Sequence, residues 1–337
     1  MSTELSTGST LSPESSPRRV TVRAPAKVNL HLGVGPRRAD GFHEVITVLQ
    51  AVGLYDELTV TDLEPADGSG DGPAVTATVE ISGEGAVGPA GDPAVVPTNA
   101  DNLAVRAALL VAETAGLRGR RIHLAMAKGI PVAAGMAGGS ADGAAALVAC
   151  DALWGTGLSV QTLAELAARL GSDVPFPLTG GTALGVGRGE QLSLVAAAGE
   201  YHWVFALADG GLSTPSVYRE FDSGATEGRT ADGRTAPTPA DAVLTAVATG
   251  DPAVLGAALC NDLQAPAIRL RPSLGDVLAE GRALGALGAL VSGSGPTTAF
   301  LARDAAHGAD LAAGLAASGL ARAVRAATAP APGATVL

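Results

Sequence analysis

Pro131-Val132-Ala133-Ala134-Gly135-Met136-Ala137-Gly138-Gly139-Ser140-Ala141-Asp142 is a run of small residues leading into an Ala-rich segment, predicted to be helical from Gly143 to about Trp154. Where no Cβ or only a methyl stands in the way, backbone N–H groups approach a ligand closely. A helix N-terminus adds unsatisfied N–H donors and partial positive charge. Together these make an anion site, and phosphate is the usual occupant. The chain also holds 45 glycines, so such a run arises from composition as well, and its meaning depends on what stands before and after it.

Composition narrows the field. A 337-residue chain that is 47% hydrophobic can bury a large core, yet with only 3% aromatic residues that core must be built from Ala, Val and Leu. The net charge of −11 argues against nucleic acid or an anionic membrane as partner, so a phosphate-binding function would need local cations against the chain's own field. Only two lysines are present, Lys27 and Lys128, and in a chain whose other basic residues are arginine each is expected where arginine will not serve. Cys150 and Cys260 stand in no CxxC pattern and fit buried positions in a reduced cytoplasm. The five histidines show no metal-ligand spacing, and no dedicated metal site is expected. No apolar run is long enough to span a membrane, and the Ser/Thr/Pro-rich residues 1–19 read as a disordered tail without the apolar core of a signal peptide.

Before the loop, the segment from Val20 to Val34 alternates like a strand. Lys27, Asn29 and His31 are expected on one face, with Val28, Leu30 and Leu32 on the other. Asp40-Gly41 marks a tight turn ahead of Phe42-His43. Asn102 is placed to cap a helix over Leu103–Thr114, and a strand from Arg120 to Ala127 delivers Lys128 to the loop. After the loop, a helix capped by Ser159 stops at Gly171, which leaves Asp173 in a short turn before a new strand. The Gly/Pro-rich stretches 65–72, 83–97 and 223–239 read as surface excursions, the last of them flexible. The predicted domains are 20–195 and 196–326, followed by a C-terminal tail at 327–337.

There is no GxxxxGK[ST], no strand–GxGxxG–helix unit with a following acidic residue, and no HRD or DFG. What stands in order is Pro25-Ala26-Lys27-Val28-Asn29-Leu30, then Pro131-x-x-x-Gly135-x-x-Gly138-Gly139-Ser140 before a helix, then Gly293-Ser294-Gly295. This ordered set resembles the GHMP kinase superfamily. Arg38-Ala39-Asp40-Gly41-Phe42-His43, Asp101-Asn102-Leu103 and Gly171-Ser172-Asp173-Val174-Pro175 are similar to the branch that acts on a cytidylylated methylerythritol, in the non-mevalonate route to isoprenoid precursors. The resemblance runs from about Val22 to about Ala326.

It implies an α+β, two-domain GHMP kinase fold with the active site in the cleft between the domains. It implies a cytoplasmic, ATP-dependent small-molecule kinase, a monomer or weak homodimer, with Mg²⁺ arriving on ATP. Asp173 would accept or orient the acceptor hydroxyl proton, with Lys27 beside it; whether Asp173 is a true base or an orienter stays open. Residues Pro131, Val132, Ala133, Ala134, Gly135, Met136, Ala137, Gly138, Gly139, Ser140 and Ala141 would wrap the ATP phosphates, with Ser140 donating to phosphate or approaching Mg²⁺. Asn102 and Lys128 would lie near adenosine, or else serve as a helix cap and a solvated strand end. Phe42, His43 and Tyr218 would clamp the cytosine, while Asn29 and Thr214 contact the methylerythritol end. Alternatives are another kinase of the superfamily, acting on homoserine, mevalonate or a sugar, and a catalytically silent nucleotide-binding protein. Alanine tolerates positive φ poorly, so Ala133, Ala134 and Ala137 are expected at negative φ.

Overall fold

The computed structural model describes residues 17–63, 75–84 and 96–337. The stretches expected as excursions at 65–72 and 83–97, and the tail at 1–19, fall largely outside the described residues. In chain order the elements are β1 (Arg19–Arg37), β2 (His43–Leu63), β3 (Val75–Gly83), α1 (Leu103–Thr114), β4 (Arg120–Lys128), α2 (Gly138–Trp154), α3 (Val160–Leu170) and α4 (Pro175–Thr179). Next come β5 (Thr182–Val186), β6 (Gln191–Leu194), β7 (Tyr201–Leu207), α5 (Thr214–Phe221), α6 (Asp241–Thr249), α7 (Pro252–Ala258), β8 (Cys260–Asn261) and α8 (Gln264–Leu270). The chain continues through α9 (Ser273–Ala283), β9 (Gly288–Val291), β10 (Thr298–Ala302), α10 (Ala305–Ala317), β11 (Ala323–Ala329) and β12 (Thr335–Val336).

Two sheets carry these elements, and the architecture is α+β. The larger follows the order β12-β1-β2-β4-β3, with the β5–β6 hairpin added to β2 and the short β8 added to β1; the smaller runs β11-β7-β10-β9. Ala-rich α1 and α2 pack on the larger sheet, where Val28, Leu30, Leu58, Val60, Leu124 and Met126 are buried against Ala104, Ala108, Ala144 and Leu147. Small side chains let helix and sheet approach closely, which is how a core poor in aromatics reaches native density. The same core runs on through Tyr201, Trp203 and Phe205 of β7. A second cluster lies between the smaller sheet and α5, α8, α9 and α10.

Three departures from the sequence expectations matter for the site. The alternation along β1 breaks, because Asn29 pairs with Leu49 and His31 with Val48, leaving Leu30 as an extra residue. A bulge of one residue turns everything beyond it to the opposite face. Leu32 therefore joins Lys27 and Asn29 on the cavity side, while His31 leaves them and donates from Nε2 to the Thr238 carbonyl (2.9 Å). Second, residues 223–239 are anchored rather than loose: Arg234 reaches Asp262 (2.9 Å), and the Thr238 hydroxyl donates to the same carboxylate. Third, residues 327–337, expected as a tail, extend β11 to Ala329 and then fold back, pairing Val336 with Val22 of β1.

Candidate active site

β1 supplies the first residue of the site. Lys27 is buried, and its Nζ donates to Asn29 Oδ1 at 2.5 Å. Asn29 Nδ2 donates to Thr47 Oγ1 (3.0 Å), whose hydroxyl donates to the His31 carbonyl (2.7 Å). This relay runs from charge to backbone and fixes the amide of Asn29 in one orientation. Hydrogen bonds to a charged group contribute about 1.5–3 kcal/mol, so the relay holds the ammonium firmly. Burial pushes Lys27 below its ordinary range, while the carboxylate of Asp173 pulls it back up.

Asp173 sits where α3 ends. Gly171 closes the helix and residues 172–174 turn into α4, whose first residue is Pro175; the strand expected here is this short helix instead. Proline fits the first turn because its missing N–H has no partner there in any case. The exposed Asp173 and the buried Lys27 both line a cavity of about 800 Å³. The cavity also takes in Asn29, Phe42, His43, Thr214 and Tyr218, so every residue expected at the acceptor side is present on one wall or another. Tyr218 is packed 5.0 Å from the His43 ring, and burial, with the Asp173 charge adding to it, pushes its hydroxyl up to about 12. His43 Nδ1 donates to the Gly35 carbonyl (2.9 Å), and its Nε2 faces Asp222 at 3.5 Å. Phe42 stands at the rim, 51% exposed.

The turn of Gly293-Ser294-Gly295 closes the cavity from the smaller sheet. Asn261 Nδ2 donates to the carbonyls of Val291 (2.7 Å) and Gly293 (2.8 Å), which fixes the turn, and Ser294 Oγ meets Thr214 Oγ1 at 2.8 Å. Gly293 has φ +59, and a Cβ there would come 3.1 Å from Lys27 Nζ, so a side chain would crowd the ammonium.

The small-residue loop runs between β4 and α2. The helix begins at Gly138, earlier than the sequence suggested, and its N-cap Ala137 offers no side-chain hydrogen bond. The first turn of α2 thus presents its N–H groups without a capping side chain. Ala133 (φ 54) and Ala137 (φ 63) both adopt the left-handed region, contrary to the expectation of negative φ at each. The reason lies in the anchors between them. Met136 is fully buried and its carbonyl accepts from Lys27 N–H (3.2 Å), while Gly135 lies so close to Ser292 that a Cβ would come 2.3 Å from its carbonyl. A loop pinned at those two residues must turn sharply on either side of them to start a helix at Gly138. Left-handed alanine costs about 1–2 kcal/mol per residue, which these contacts offset. Of the loop, Gly135 and Ala137 reach the cavity wall, Ala133 and Gly139 are exposed, and Ser140 is half-buried in the first turn of α2.

The two residues expected near adenosine both have partners within the protein. Asn102 caps α1: its Oδ1 accepts from Ala104 N–H (2.8 Å) and its Nδ2 donates to the Pro97 carbonyl (2.6 Å). Lys128 is not a solvated strand end. It is buried between Asp56 and Asp142, with Nζ 2.5 Å from Asp142 Oδ2 and directly bonded to Asp56. Asp56 Oδ1 also accepts from Gly129 and Ile130 N–H, both at 2.8 Å, so this trio fastens the entrance of the loop to the start of α2. Burial raises Asp142 to about 7 and raises Asp56 as well. Burial lowers Lys128, but the Asp142 and Asp56 carboxylates outweigh it and leave the ammonium above its ordinary range.

Arginines are the residues that sequence reasoning missed. Arg37, Arg169, Arg188 and Arg219 line the cavity with Lys27, against only two carboxylates, Asp173 and Asp222. In a chain of net charge −11 this is a local reversal of sign, and it suits a polyanionic ligand. They are scattered along the sequence, and the one local signal is Arg188 alone between Gly187 and Gly189. Among the described residues no group of three or more His, Cys, Asp or Glu side chains could hold a metal ion, and no helix is long and apolar enough to cross a membrane.

Comparison with known proteins agrees with this geometry. Residues 102–181 match the family described as "GHMP kinases N terminal domain", a range that holds both the small-residue loop and Asp173, and residues 243–320 match "GHMP kinases C terminal". The chain is 56% identical over 320 residues to the 4-diphosphocytidyl-2-C-methyl-D-erythritol kinase of Streptomyces coelicolor, covering 94% of this chain and 99% of that one. A crystal structure of a 4-(cytidine 5'-diphospho)-2C-methyl-D-erythritol kinase superposes with a TM-score of 0.71 at 34% identity, covering 92% of this chain and 99% of the other. Homoserine kinase from Cytophaga hutchinsonii, at 18% identity, TM-score 0.69, and 97% and 100% coverage, shares the fold alone.

Proposed function

The chain belongs to the 4-diphosphocytidyl-2-C-methyl-D-erythritol kinases of the GHMP kinase family, and from that premise we propose how its residues carry out the reaction. It is an ATP-dependent kinase that transfers the γ-phosphoryl group to the 2-hydroxyl of 4-diphosphocytidyl-2-C-methyl-D-erythritol, giving the 2-phosphate and ADP. The observation that carries the assignment of residues is the shared cavity: Lys27 and Asp173 line it together with Phe42, His43 and Tyr218.

Phosphoryl transfer asks a protein mainly for positioning and for stabilisation of spread negative charge. In our reading Asp173 takes the acceptor hydroxyl as a hydrogen-bond donor. That oxygen bonds to the γ-phosphorus as the bond to the β-phosphate bridging oxygen breaks, and the hydroxyl proton passes to Asp173. Lys27, held by Asn29, balances charge on the transferring group. The loop from Pro131 to Ala141 and the uncapped first turn of α2 cradle the phosphates through backbone N–H groups. Ser140 is the only hydroxyl side chain in that loop, and it would be the residue to approach Mg²⁺ carried on the nucleotide. Mg²⁺ would supply charge neutralisation on the β- and γ-phosphates.

Phe42, His43 and Tyr218 form the nucleobase end, and Asn29 with Thr214 the alcohol end. Phe42 stacks through its ring face without a hydroxyl to add. The test is ADP release across a panel of alcohols that includes homoserine, mevalonate and the cytidylylated substrate. Turnover with the cytidylylated substrate alone is the expected result, and turnover with homoserine or mevalonate instead would overturn the substrate assignment.

A further inference from the structure

The geometry points to Arg188 as the residue that binds the diphosphate linking the nucleobase to the acceptor alcohol, held in place by its stack on Phe42. This rests on the cytidylylated substrate proposed above. Arg188 sits in the turn between β5 and β6, flanked by Gly187 (φ 77) and Gly189 (φ 100). That turn is pinned to β2, because Val45 N–H donates to the Gly187 carbonyl at 2.8 Å. On β2, Val45 stands between Phe42-His43, at the nucleobase end, and Thr47, which is bonded through Asn29 to Lys27 at the reacting end. A substrate that reaches from one end to the other must carry its diphosphate past this point.

The state of the guanidinium fits such a role. Its centre lies 4.9 Å from the Phe42 ring centroid, so the cation rests on the ring face. Among the described residues its ion pair is with Glu190, at 3.9 Å from Nε, and Asp40 also lies within reach of its charge, while Glu190 is itself bonded to the Arg188 backbone N–H (2.7 Å). A long, half-exposed ion pair of this kind contributes little and leaves the planar fork of donors open. Arginine suits a diphosphate because that fork matches two phosphate oxygens at once. The stack on Phe42 also orders an otherwise exposed ring, so the nucleobase platform and the diphosphate contact become one unit.

The experiment compares CDP and cytidine as inhibitors competitive with the cytidylylated substrate, on the wild-type enzyme, Arg188→Ala and Arg188→Lys. Arg188→Ala is expected to weaken CDP by about 10- to 100-fold, cytidine far less, and to leave KM for ATP unchanged. Arg188→Lys should fall between, keeping the charge but losing the fork. If CDP and cytidine weaken equally, Arg188 only supports the ring, and if neither weakens it is outside the site; both results overturn the proposal. A wild-type enzyme that turns over the cytidylylated substrate while Arg188→Ala keeps the CDP-to-cytidine ratio removes Arg188 alone. A wild-type enzyme that fails to turn that substrate over removes the substrate assignment and this proposal with it.

Discussion

The backbone N–H of Lys27 donates to the carbonyl oxygen of Met136 at 3.2 Å, joining the strand that carries the buried cation to the loop that would hold the phosphates. Main chain alone thus sets Lys27 relative to the loop. Phosphoryl transfer is sensitive to small misplacements of its reacting groups, so under the proposed roles this link would bear on rate.

Asp173→Asn removes the negative charge that faces Lys27 while keeping the shape of the side chain. Turnover should fall by about 10²–10⁴-fold, with ATP affinity unchanged within a few-fold. Steady-state kinetics together with nucleotide titration check this, and full activity in the variant would remove Asp173 from the mechanism.

Ala137→Gly should leave ATP affinity intact and stabilise the fold by up to about 1 kcal/mol, because glycine relieves the left-handed strain but has more freedom to lose on folding. Ala137→Val should act in the opposite sense, since a β-branched residue at φ 63 is strongly disfavoured. Thermal unfolding and KM for ATP read the two effects. A valine variant as stable and as active as wild type would contradict this account of the loop.

Phe42→Ala should raise KM for the cytidylylated substrate by about 5- to 150-fold, the range for losing one base–aromatic stack, with kcat nearly unchanged. His43→Ala should raise the same KM and also loosen the packing of Tyr218. An effect of Phe42→Ala on KM for ATP alone would place the ring at the wrong end of the site.

The Lys128 trio makes a pH prediction. The carboxyl of Asp142 is raised from 3.8 to about 7 by burial. Between those values the folded protein holds a proton that the unfolded chain has released, so stability falls as pH rises through this window and levels off above it. Asp142→Asn cannot titrate, so its stability relative to wild type should be more favourable at pH 8 than at pH 5. Unfolding midpoints at the two pH values decide it, at roughly 2–4 °C for each kcal/mol. An equal difference at both would show that Asp142 stays ionised throughout.

How much of this was legible in the sequence depended on the range of the forces involved. The helix at Leu103–Thr114 and its Asn102 cap are local matters of spacing and capping, and the structure has them at the residues expected. The ordered set of Lys27, the small-residue loop and Gly293-Ser294-Gly295 led to the right fold and activity. The bulge at Leu30 was not legible, because it arises from pairing with β2 rather than from β1 itself, and it changes which of His31 and Leu32 faces the cavity. The place of Lys128 was hidden for the same reason, since Asp56 lies 72 residues earlier in the chain. Left-handed alanines are disfavoured by any local rule, and only long-range anchors such as the contact of Gly135 with Ser292 account for them.

Trp203, wholly enclosed in the smaller sheet, donates from its indole N–H to the Gln50 side-chain carbonyl of the larger sheet (3.2 Å), within a core that both sheets share. Two layers joined through a common apolar interior cannot part without exposing that interior to water, so each layer shields apolar surface of the other. The cleft between them is bordered at its mouth by two loops that belong to the larger sheet, the turn at 38–42 and the β5–β6 turn at 187–190.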